Sequence, residues 1–220
     1  MTRPITNRVK VSLFDWLAPV LDGARVADIY SGTGTIGLEA LSRGAERVLF
    51  IEQDRVAFDL LRQNISELKV AEETLAWRVD ATKCSFRPKN GDEFLPFDLI
   101  FFDPPYFHTE RMKKDTMLYK ALIRLANPAI SAPGVWLMLR CGTGTDFEMP
   151  PVWRREKLLE YSSMSIHLFV KSDQPEMGEL LNPQAPSDTA PDSDPADSDP
   201  AEQVVDADPE EPSDVGDDAD

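Results

Sequence analysis

The residues best suited to chemistry begin with a glycine-rich turn. Residues 32–37 fit the pattern G-x-G-x-x-G, between an apolar run typical of a strand and a segment with helical spacing. Glycines in such a turn allow a ligand to lie against the backbone. Glu52 ends the next apolar run, where its carboxylate could accept hydrogen bonds from both hydroxyls of a ribose. The pattern predicts a site for an adenosine cofactor, and a dinucleotide and S-adenosylmethionine (SAM) both remain open.

The acid that precedes this turn favours SAM. Asp28 stands just before the glycines, where a carboxylate could face the ammonium group of a cofactor but would repel a pyrophosphate. The alternative for Asp28 is a solvated acid at the end of a strand. The alternative for residues 32–37 is a turn that only connects a strand to a helix.

A second motif, Asp103-Pro104-Pro105-Tyr106, follows another apolar run. In an open α/β sheet, ligands bind beyond the carboxyl ends of the strands, so this loop should face the glycine turn. The carboxylate of Asp103 and the carbonyl of Pro104 could accept both N–H bonds of a nucleobase amine, and Tyr106 could stack on the base. Such an arrangement favours methyl transfer to nitrogen through positioning and electrostatics. A stiff turn with an exposed aromatic residue is the alternative.

The elements around these motifs alternate between strands and helices. Apolar runs predict strands at residues 25–30, 47–51, 75–79, 97–102, 135–139, 153–161 and 165–170, and helical spacing predicts helices at residues 35–43, 54–68 and 115–127. Alternation of this kind indicates βαβ units. We therefore predict an α/β fold with a mostly parallel, seven-stranded sheet and helices on both faces. The apolar face of the second helix is assigned to Val56, Leu60, Leu61 and Leu68.

Charge divides the 220-residue chain into two parts. Residues 174–220 hold 16 of the 39 acidic residues, 8 of the 18 prolines and no Lys, Arg or aromatic residue. Such a composition cannot offset the entropy of ordering, so we predict a disordered acidic tail after a single domain at residues 1–173. The lack of a long apolar run and of an N-terminal apolar segment predicts a cytoplasmic protein with no membrane span.

The cysteines and histidines predict neither a disulfide framework nor a metal site. Cys84 and Cys141 are too few for a structural zinc site, and we expect both to be ordinary thiols. His108 is assigned no role. His167 alternates with apolar residues and is predicted to lie on the surface of a strand.

With these residues in hand, the chain resembles the RsmD family of bacterial small-subunit (16S) rRNA guanine-N2 methyltransferases. The resemblance covers roughly residues 3–171 and is carried by residues 3–10, 13–17, 28–45, 52–54, 80–81, 103–106 and 155–157. It implies a Rossmann-like class I methyltransferase with SAM as methyl donor and guanine N2 of 16S rRNA as acceptor. The chain departs from the family pattern at Val11, where the family usually has an acid, and at the end of the fifth strand, residues 139–141, where the family tends to place a Glu.

The resemblance also implies roles for individual residues. Asp80 would meet the amino group of adenine, and residues 103–106 (Asp103, Pro104, Pro105 and Tyr106) would hold the target base. The remaining cofactor contacts implied are Asp28, Tyr30, Ser31, Gly32, Gly34, Glu52, Gln53 and Ala81. Basic residues expected to contact RNA are Arg8, Lys10, Arg111, Lys113 and Lys114. We expect a monomer that acts on 16S rRNA or on the assembling small ribosomal subunit.

Three other functions remain open. One is methylation of another amine, such as adenine N6 in DNA or a glutamine in a protein. Another is a SAM-binding RNA assembly factor without turnover. An NAD-dependent dehydrogenase would account for the glycine turn but leaves residues 103–106 unexplained.

Overall fold

The computed structural model describes residues 7–172, and it shows one seven-stranded sheet with the strand order β3-β2-β1-β4-β5-β7-β6. The strands are β1 (Arg25–Ile29), β2 (Arg47–Ile51), β3 (Thr74–Trp77), β4 (Phe97–Phe102), β5 (Ser131–Cys141), β6 (Trp153–Glu160) and β7 (Ser165–Lys171). The helices are α1 (Asn7–Leu17), α2 (Thr35–Ser42), α3 (Arg55–Leu68), α4 (Tyr106–Thr109) and α5 (Met117–Leu125). The predicted acidic tail lies outside the described residues.

The sheet is parallel from β3 to β5, and only β7 pairs antiparallel with its neighbours β5 and β6. The strand order reverses at β1, which lies between β2 and β4. A crevice forms at such a reversal, beyond the carboxyl ends of the strands. The chain segments after β1 and β4 are therefore brought to one place, and the predicted α/β class and strand number are confirmed.

Each face of the sheet has its own core, as near-continuous apolar strands require. Helices α1, α2 and α3 cover one face, where Phe14, Phe50 and Phe101 are fully buried. Helix α5 covers the other face, where Phe86 and Phe102 are fully buried. None of the helices in residues 7–172 is long and apolar enough to cross a membrane.

Helix α3 begins where predicted but buries a different face. Asp54 caps its first turn by accepting a hydrogen bond from the backbone N–H of Ala57 at 2.8 Å. The predicted apolar face is wrong in large part, because three of its four side chains are exposed: Val56 (69 %), Leu60 (45 %) and Leu68 (58 %). The sheet side of the helix instead buries Leu61 and Ile65, which are one turn apart.

Other boundaries also differ from the prediction. Strand β5 begins at Ser131, before Pro133 and Gly134, because Ser131 pairs with Phe97 ahead of a shift in register between the two strands. Helix α5 begins at Met117, since the Thr116 side chain accepts the N–H of Tyr119. Helix α4 was not predicted.

The prediction for His167 is wrong, because this side chain is buried. Strand β7 lies between β5 and β6, and the ring of Phe147 covers the imidazole at a centroid distance of 4.9 Å. Burial lowers the pKa of His167 to about 4, and the nearby Arg155 acts in the same direction. For the thiols of Cys84 and Cys141, burial disfavours the charged form and so raises the pKa to about 11. These thiols are therefore protonated at neutral pH.

Candidate active site

The glycine turn after β1 is held in a left-handed backbone conformation. Tyr30, Gly32 and Gly34 have φ values of 65°, 56° and 83°. The N–H groups of Tyr30 and Ser31 both donate to the carbonyl of Ile51, at 2.9 and 3.1 Å, which ties the turn to β2. Left-handed backbone is costly for residues with a Cβ, so glycine is the favoured residue at two of these positions.

The glycines also permit close packing beneath the turn. A Cβ at Gly34 would lie 2.4 Å from Cδ1 of Leu61, and one at Gly37 would lie 2.4 Å from Cε1 of Phe50. The last glycine of the motif therefore allows α2 to pack on β2. Asn64 holds the turn from α3, because its Nδ2 donates to the carbonyl of Thr33 at 2.9 Å. Sequence reasoning missed Asn64, and nothing in its local pattern indicates this long-range contact.

Asp28 lies beneath the glycine turn and is 1 % exposed. Its Oδ2 accepts the backbone N–H of Gly37 at 2.8 Å. Burial raises the pKa of Asp28 to about 7, although the Gly37 hydrogen bond opposes this, and the charges of Asp103 and Glu52 raise it further. Asp28 is therefore not a solvated strand-end acid.

Glu52 connects the loops that follow β1 and β2. Its Oε2 accepts the N–H of Gly32, and its Oε1 accepts the N–H of Asp54, both at 2.8 Å. A carboxylate oxygen has two acceptor positions, so each oxygen of Glu52 can still accept a hydroxyl of a ligand. Glu52 thus shapes the glycine turn as well as offering the predicted ribose contact.

At the start of the turn, burial raises the pKa of the Tyr30 hydroxyl, and Asp80 lies close enough to raise it further. Oδ1 of Asp80 accepts the N–H and the hydroxyl of Thr82, at 2.9 and 2.7 Å. Partial burial acts to raise the pKa of Asp80, but Thr82 and the Lys83 ammonium group outweigh it and hold the pKa below its usual value. The hydroxyl of Tyr30 is buried and has no hydrogen-bond partner in the described structure. Ala81 is buried and Gln53 is exposed.

Asp103 forms an ion pair that sequence reasoning missed. Nε and Nη2 of Arg140 donate to Oδ1 and Oδ2 of Asp103, at 2.7 and 2.6 Å. The two side chains are only 10 % and 5 % exposed. Burial raises the pKa of Asp103, and the charge and hydrogen bonds of Arg140 oppose that rise. The register of the strands offers a signal, since Phe102 pairs with Leu139 and each is followed by one member of the ion pair.

The rest of this loop turns directly into α4. Asp103 N donates to the carbonyl of Ile29 at 3.2 Å, which joins the loop to the end of β1. Pro105 precedes the first residue of α4, Tyr106, and its missing N–H is not needed there. The hydroxyl of Tyr106 is buried without a partner among residues 7–172, and the guanidinium carbon of Arg140 lies 5.8 Å from its ring centroid.

The predicted RNA contacts do not form one patch of unpaired charge. Lys113 is 3.4 Å from a carboxylate oxygen of Asp146 and 3.9 Å from one of Glu148. Lys10 pairs with Glu39 on α2 at 2.9 Å. The remaining predicted contacts, Arg8, Arg111 and Lys114, are exposed. The segment between β5 and β6 thus brings acids to the basic loop beside Tyr106. Within residues 7–172, no group of three His, Cys, Asp or Glu side chains could hold a metal ion.

Known proteins resemble this chain in both sequence and structure. Ribosomal RNA small subunit methyltransferase D of Escherichia coli (strain K12) is 39 % identical over 104 residues, which are 47 % of this chain and 50 % of that protein. This chain matches only about half the length of its curated relatives, 56 % and 50 % in two of them.

Solved structures share the fold. The yhhF protein of Escherichia coli has a TM-score of 0.63 and 26 % identity, over 79 % of this chain and 90 % of that one. An RNA methyltransferase from Salinibacter ruber in complex with S-adenosyl-L-homocysteine has a TM-score of 0.57 and 18 % identity, over 78 % of this chain and 95 % of that one. The fold is therefore Rossmann-like, of the methyltransferase type.

A family match covers most of the described residues. Residues 1–160 match the family described as Conserved hypothetical protein 95, which corresponds to the RsmD family. That match spans both the glycine turn and the Asp103 loop, and the resemblance inferred from motifs is confirmed. The chain belongs to this family.

Proposed function

We propose that this protein transfers a methyl group from SAM to the exocyclic N2 amine of a guanine in small-subunit (16S) rRNA. The main supporting observation is that the glycine turn and the Asp103 loop meet at the strand reversal, where Asp103 N bonds to Ile29 O at 3.2 Å. A cofactor on the turn would lie beside a base held by the loop. The similarity to ribosomal RNA small subunit methyltransferase D points to the same substrate class.

The charges around the turn suit SAM. Beyond the effect of burial, the carboxylates of Glu52 and Asp103 both lie close enough to Asp28 to raise its pKa. SAM carries an ammonium and a sulfonium group that would offset these charges, whereas a pyrophosphate would be repelled. When bound, SAM supplies an electrophilic methyl group. NAD-dependent dehydrogenation is correspondingly disfavoured.

Residues around the glycine turn can hold each part of the cofactor. Glu52 would accept the ribose hydroxyls, and Asp80 would accept the adenine amino group. The hydroxyl of Tyr30 has no partner in the described residues, and burial and the nearby Asp80 charge both raise its pKa. This hydroxyl offers the cofactor an additional polar contact. The backbone at Gly32 and Gly34 would approach the cofactor closely, with Ser31, Gln53 and Ala81 completing the predicted contacts.

The Asp103 loop would prepare the amine for attack. The Asp103 carboxylate and the Pro104 carbonyl accept its two N–H bonds, which orients the nitrogen and stabilises the positive charge that develops on it. The proton becomes acidic only after the C–N bond has formed, so Asp103 need not be a strong base. Tyr106 stacks on the base and keeps it out of its helix.

Radiolabelled methyl transfer tests this function. We expect undermethylated small-subunit particles, incubated with the protein and tritiated-methyl SAM, to gain label in N2-methylguanosine. Asp103→Ala should lower turnover about 10²–10³-fold and leave SAM affinity within about twofold, because it removes an acceptor for the amine but no cofactor contact. Asp59→Ala, an exposed acid on α3, is the matched control and should behave as wild type.

The same assay separates the alternatives. Label in adenine of DNA or in glutamine of a protein would show that DNA or protein, and not rRNA, is the substrate. SAM binding by calorimetry with no label in any acceptor would indicate an RNA assembly factor without turnover. Turnover by Asp103→Ala at the wild-type rate would remove Asp103 from the proposed mechanism.

A further inference from the structure

The geometry of the Asp103–Arg140 pair fixes the orientation of the Asp103 carboxylate. Two parallel hydrogen bonds of 2.7 and 2.6 Å join the two side chains. Because a guanidinium group is planar and rigid, a two-point contact sets both the plane and the rotation of its partner carboxylate. Neither side chain can be displaced cheaply, since both are nearly buried.

The pair leaves Asp103 able to accept further hydrogen bonds. An ionised carboxylate has about four acceptor positions, and Arg140 uses one on each oxygen. The remaining positions are those that an incoming amine would need. Arg140 also lies beside the ring of Tyr106, with its guanidinium carbon 5.8 Å from the ring centroid. It therefore contacts two members of the loop that would hold the base.

The charges near Asp103 show why a cation is required there. Asp28 from β1 interacts electrostatically with Asp103, and Glu52, which follows β2, acts in turn on Asp28. Arg140 from β5 is the cation paired with Asp103, and Tyr106 on the same loop is a phenol. Burial raises the pKa of Asp103 and Arg140 opposes that rise, so loss of Arg140 favours the protonated form. Protonation would turn one acceptor into a donor and spoil the contact with an amine.

We propose that Arg140 is a positioning residue for the acceptor site, holding the Asp103 carboxylate ionised and oriented so that its outward lone pairs receive the N–H bonds of the target amine. This inference rests on the proposed function. Arg140 acts through Asp103 and does not itself touch the base.

Two substitutions separate charge from geometry. Arg140→Lys keeps the positive charge but loses the planar fork, and Arg140→Met loses both. We expect kcat to fall about tenfold in Arg140→Lys and about 10²-fold in Arg140→Met, because misplacement of a positioned group has costs of this size. SAM affinity by calorimetry should stay within about twofold of wild type. Raising the pH should increase the kcat of Arg140→Met relative to that of wild type at the same pH, since Asp103 then ionises in the variant. The comparison at equal pH removes the effect of Asp28, which both proteins contain and whose pKa is about 7.

The matched control is Arg25→Met. Arg25 Nε pairs with Asp98 at 3.2 Å, also between neighbouring strands but at the amino end of the same sheet. This variant also loses an ion pair between neighbouring strands, one that is 29 % and 35 % exposed, at the opposite end of the sheet from the site. Its kcat should equal that of wild type.

A second measurement follows the ionisation of Asp103 directly and does not depend on turnover. In protein labelled with ¹³C at the aspartate carboxyl groups, the Asp103 resonance is identified by its loss in Asp103→Asn. We expect it to remain that of a carboxylate in wild type at neutral pH and to shift to that of the protonated acid in Arg140→Met. Should wild type transfer no methyl group at all, the proposed function fails, and this titration still decides whether Arg140 controls Asp103.

Two results would overturn the inference. One is a kcat in Arg140→Met equal to or above that of wild type, which would make Arg140 an inert or inhibitory residue. The other is an unchanged Asp103 resonance in that variant. If Arg140→Met does not fold, as judged by circular dichroism, Arg140→Lys carries the same test, and wild-type kcat in that variant overturns the requirement for the planar fork.

Discussion

The carboxylates in the two halves of the site, the glycine turn and the Asp103 loop, are stabilised in different ways. On the proposed cofactor side, the carboxylate of Asp28 accepts the N–H of Gly37 in α2, and that of Glu52 accepts the N–H groups of Gly32 and Asp54. On the acceptor side, the carboxylate of Asp103 is held by the charged side chain of Arg140, 37 residues away. Backbone amides are present whatever the side chain, whereas a side-chain cation can be removed by substitution. The first carboxylates are thus held by the backbone, and Asp103 depends on one residue of a neighbouring strand.

The largest effect on the cofactor half should come from Gly34→Ala. This residue has a φ of 83°, and its added Cβ would lie 2.4 Å from Leu61. We expect the free energy of unfolding to fall by roughly 2–5 kcal/mol, the combined cost of left-handed backbone and overpacking. Urea denaturation measures this change.

The neighbouring glycine is the control for that experiment. Gly32 has a φ of 56°, but nothing lies within 4 Å of its Cβ position. Gly32→Ala should therefore cost only about 1–2 kcal/mol. Equal losses in the two variants would show that packing against Leu61 contributes nothing.

A smaller effect is expected for Asp28→Asn, and it should depend on pH. The folded pKa of Asp28 is raised from 3.8 to about 7, so its ionised form is penalised in the folded state. Stability contributed by the protonated carboxyl is lost as the pH rises across this window. The asparagine variant should therefore unfold with a free energy that exceeds that of wild type by up to roughly 4 kcal/mol above pH 7, and by little at low pH.

Denaturation of cofactor-free protein at several pH values measures this difference. A difference that does not change with pH would contradict the raised pKa of Asp28. Adding SAM should narrow the difference if a cofactor cation lies beside the carboxylate. Asp54→Asn, at the exposed helix cap, is a control expected to show no increase across the same window.

The smallest effect should come from Glu52→Gln, which sharpens the contrast between binding and turnover. The amide keeps one acceptor but loses the negative charge and the second acceptor. We expect SAM affinity to fall about tenfold with little change in kcat at saturating SAM, the reverse of the pattern for Asp103→Ala. Calorimetry and steady-state kinetics measure the two quantities, and Glu46→Gln is an exposed control. Normal SAM affinity in Glu52→Gln would remove this residue from the cofactor site.

Local sequence was enough to predict where the glycine turn and the Asp103 loop lie in the fold. The glycines, the cap at Asp54 and the apolar run of β4 are each encoded within a few residues, because backbone conformation and burial on both faces restrict the local residue types. The strand number and the mostly parallel sheet followed from the alternation of such segments.

The pairing of distant side chains was decided by the tertiary structure. Arg140 meets Asp103 only because β4 and β5 align in one register, and His167 is buried only because β7 lies inside the sheet and Phe147 covers it. Helix α3 likewise buries Leu61 and Ile65 according to how it lies on the sheet. The sequence by itself determined which segments and motifs form the site, since these depend on neighbours along the chain. The charge balance at Asp103 depends on neighbours in space, which only the folded sheet assigns.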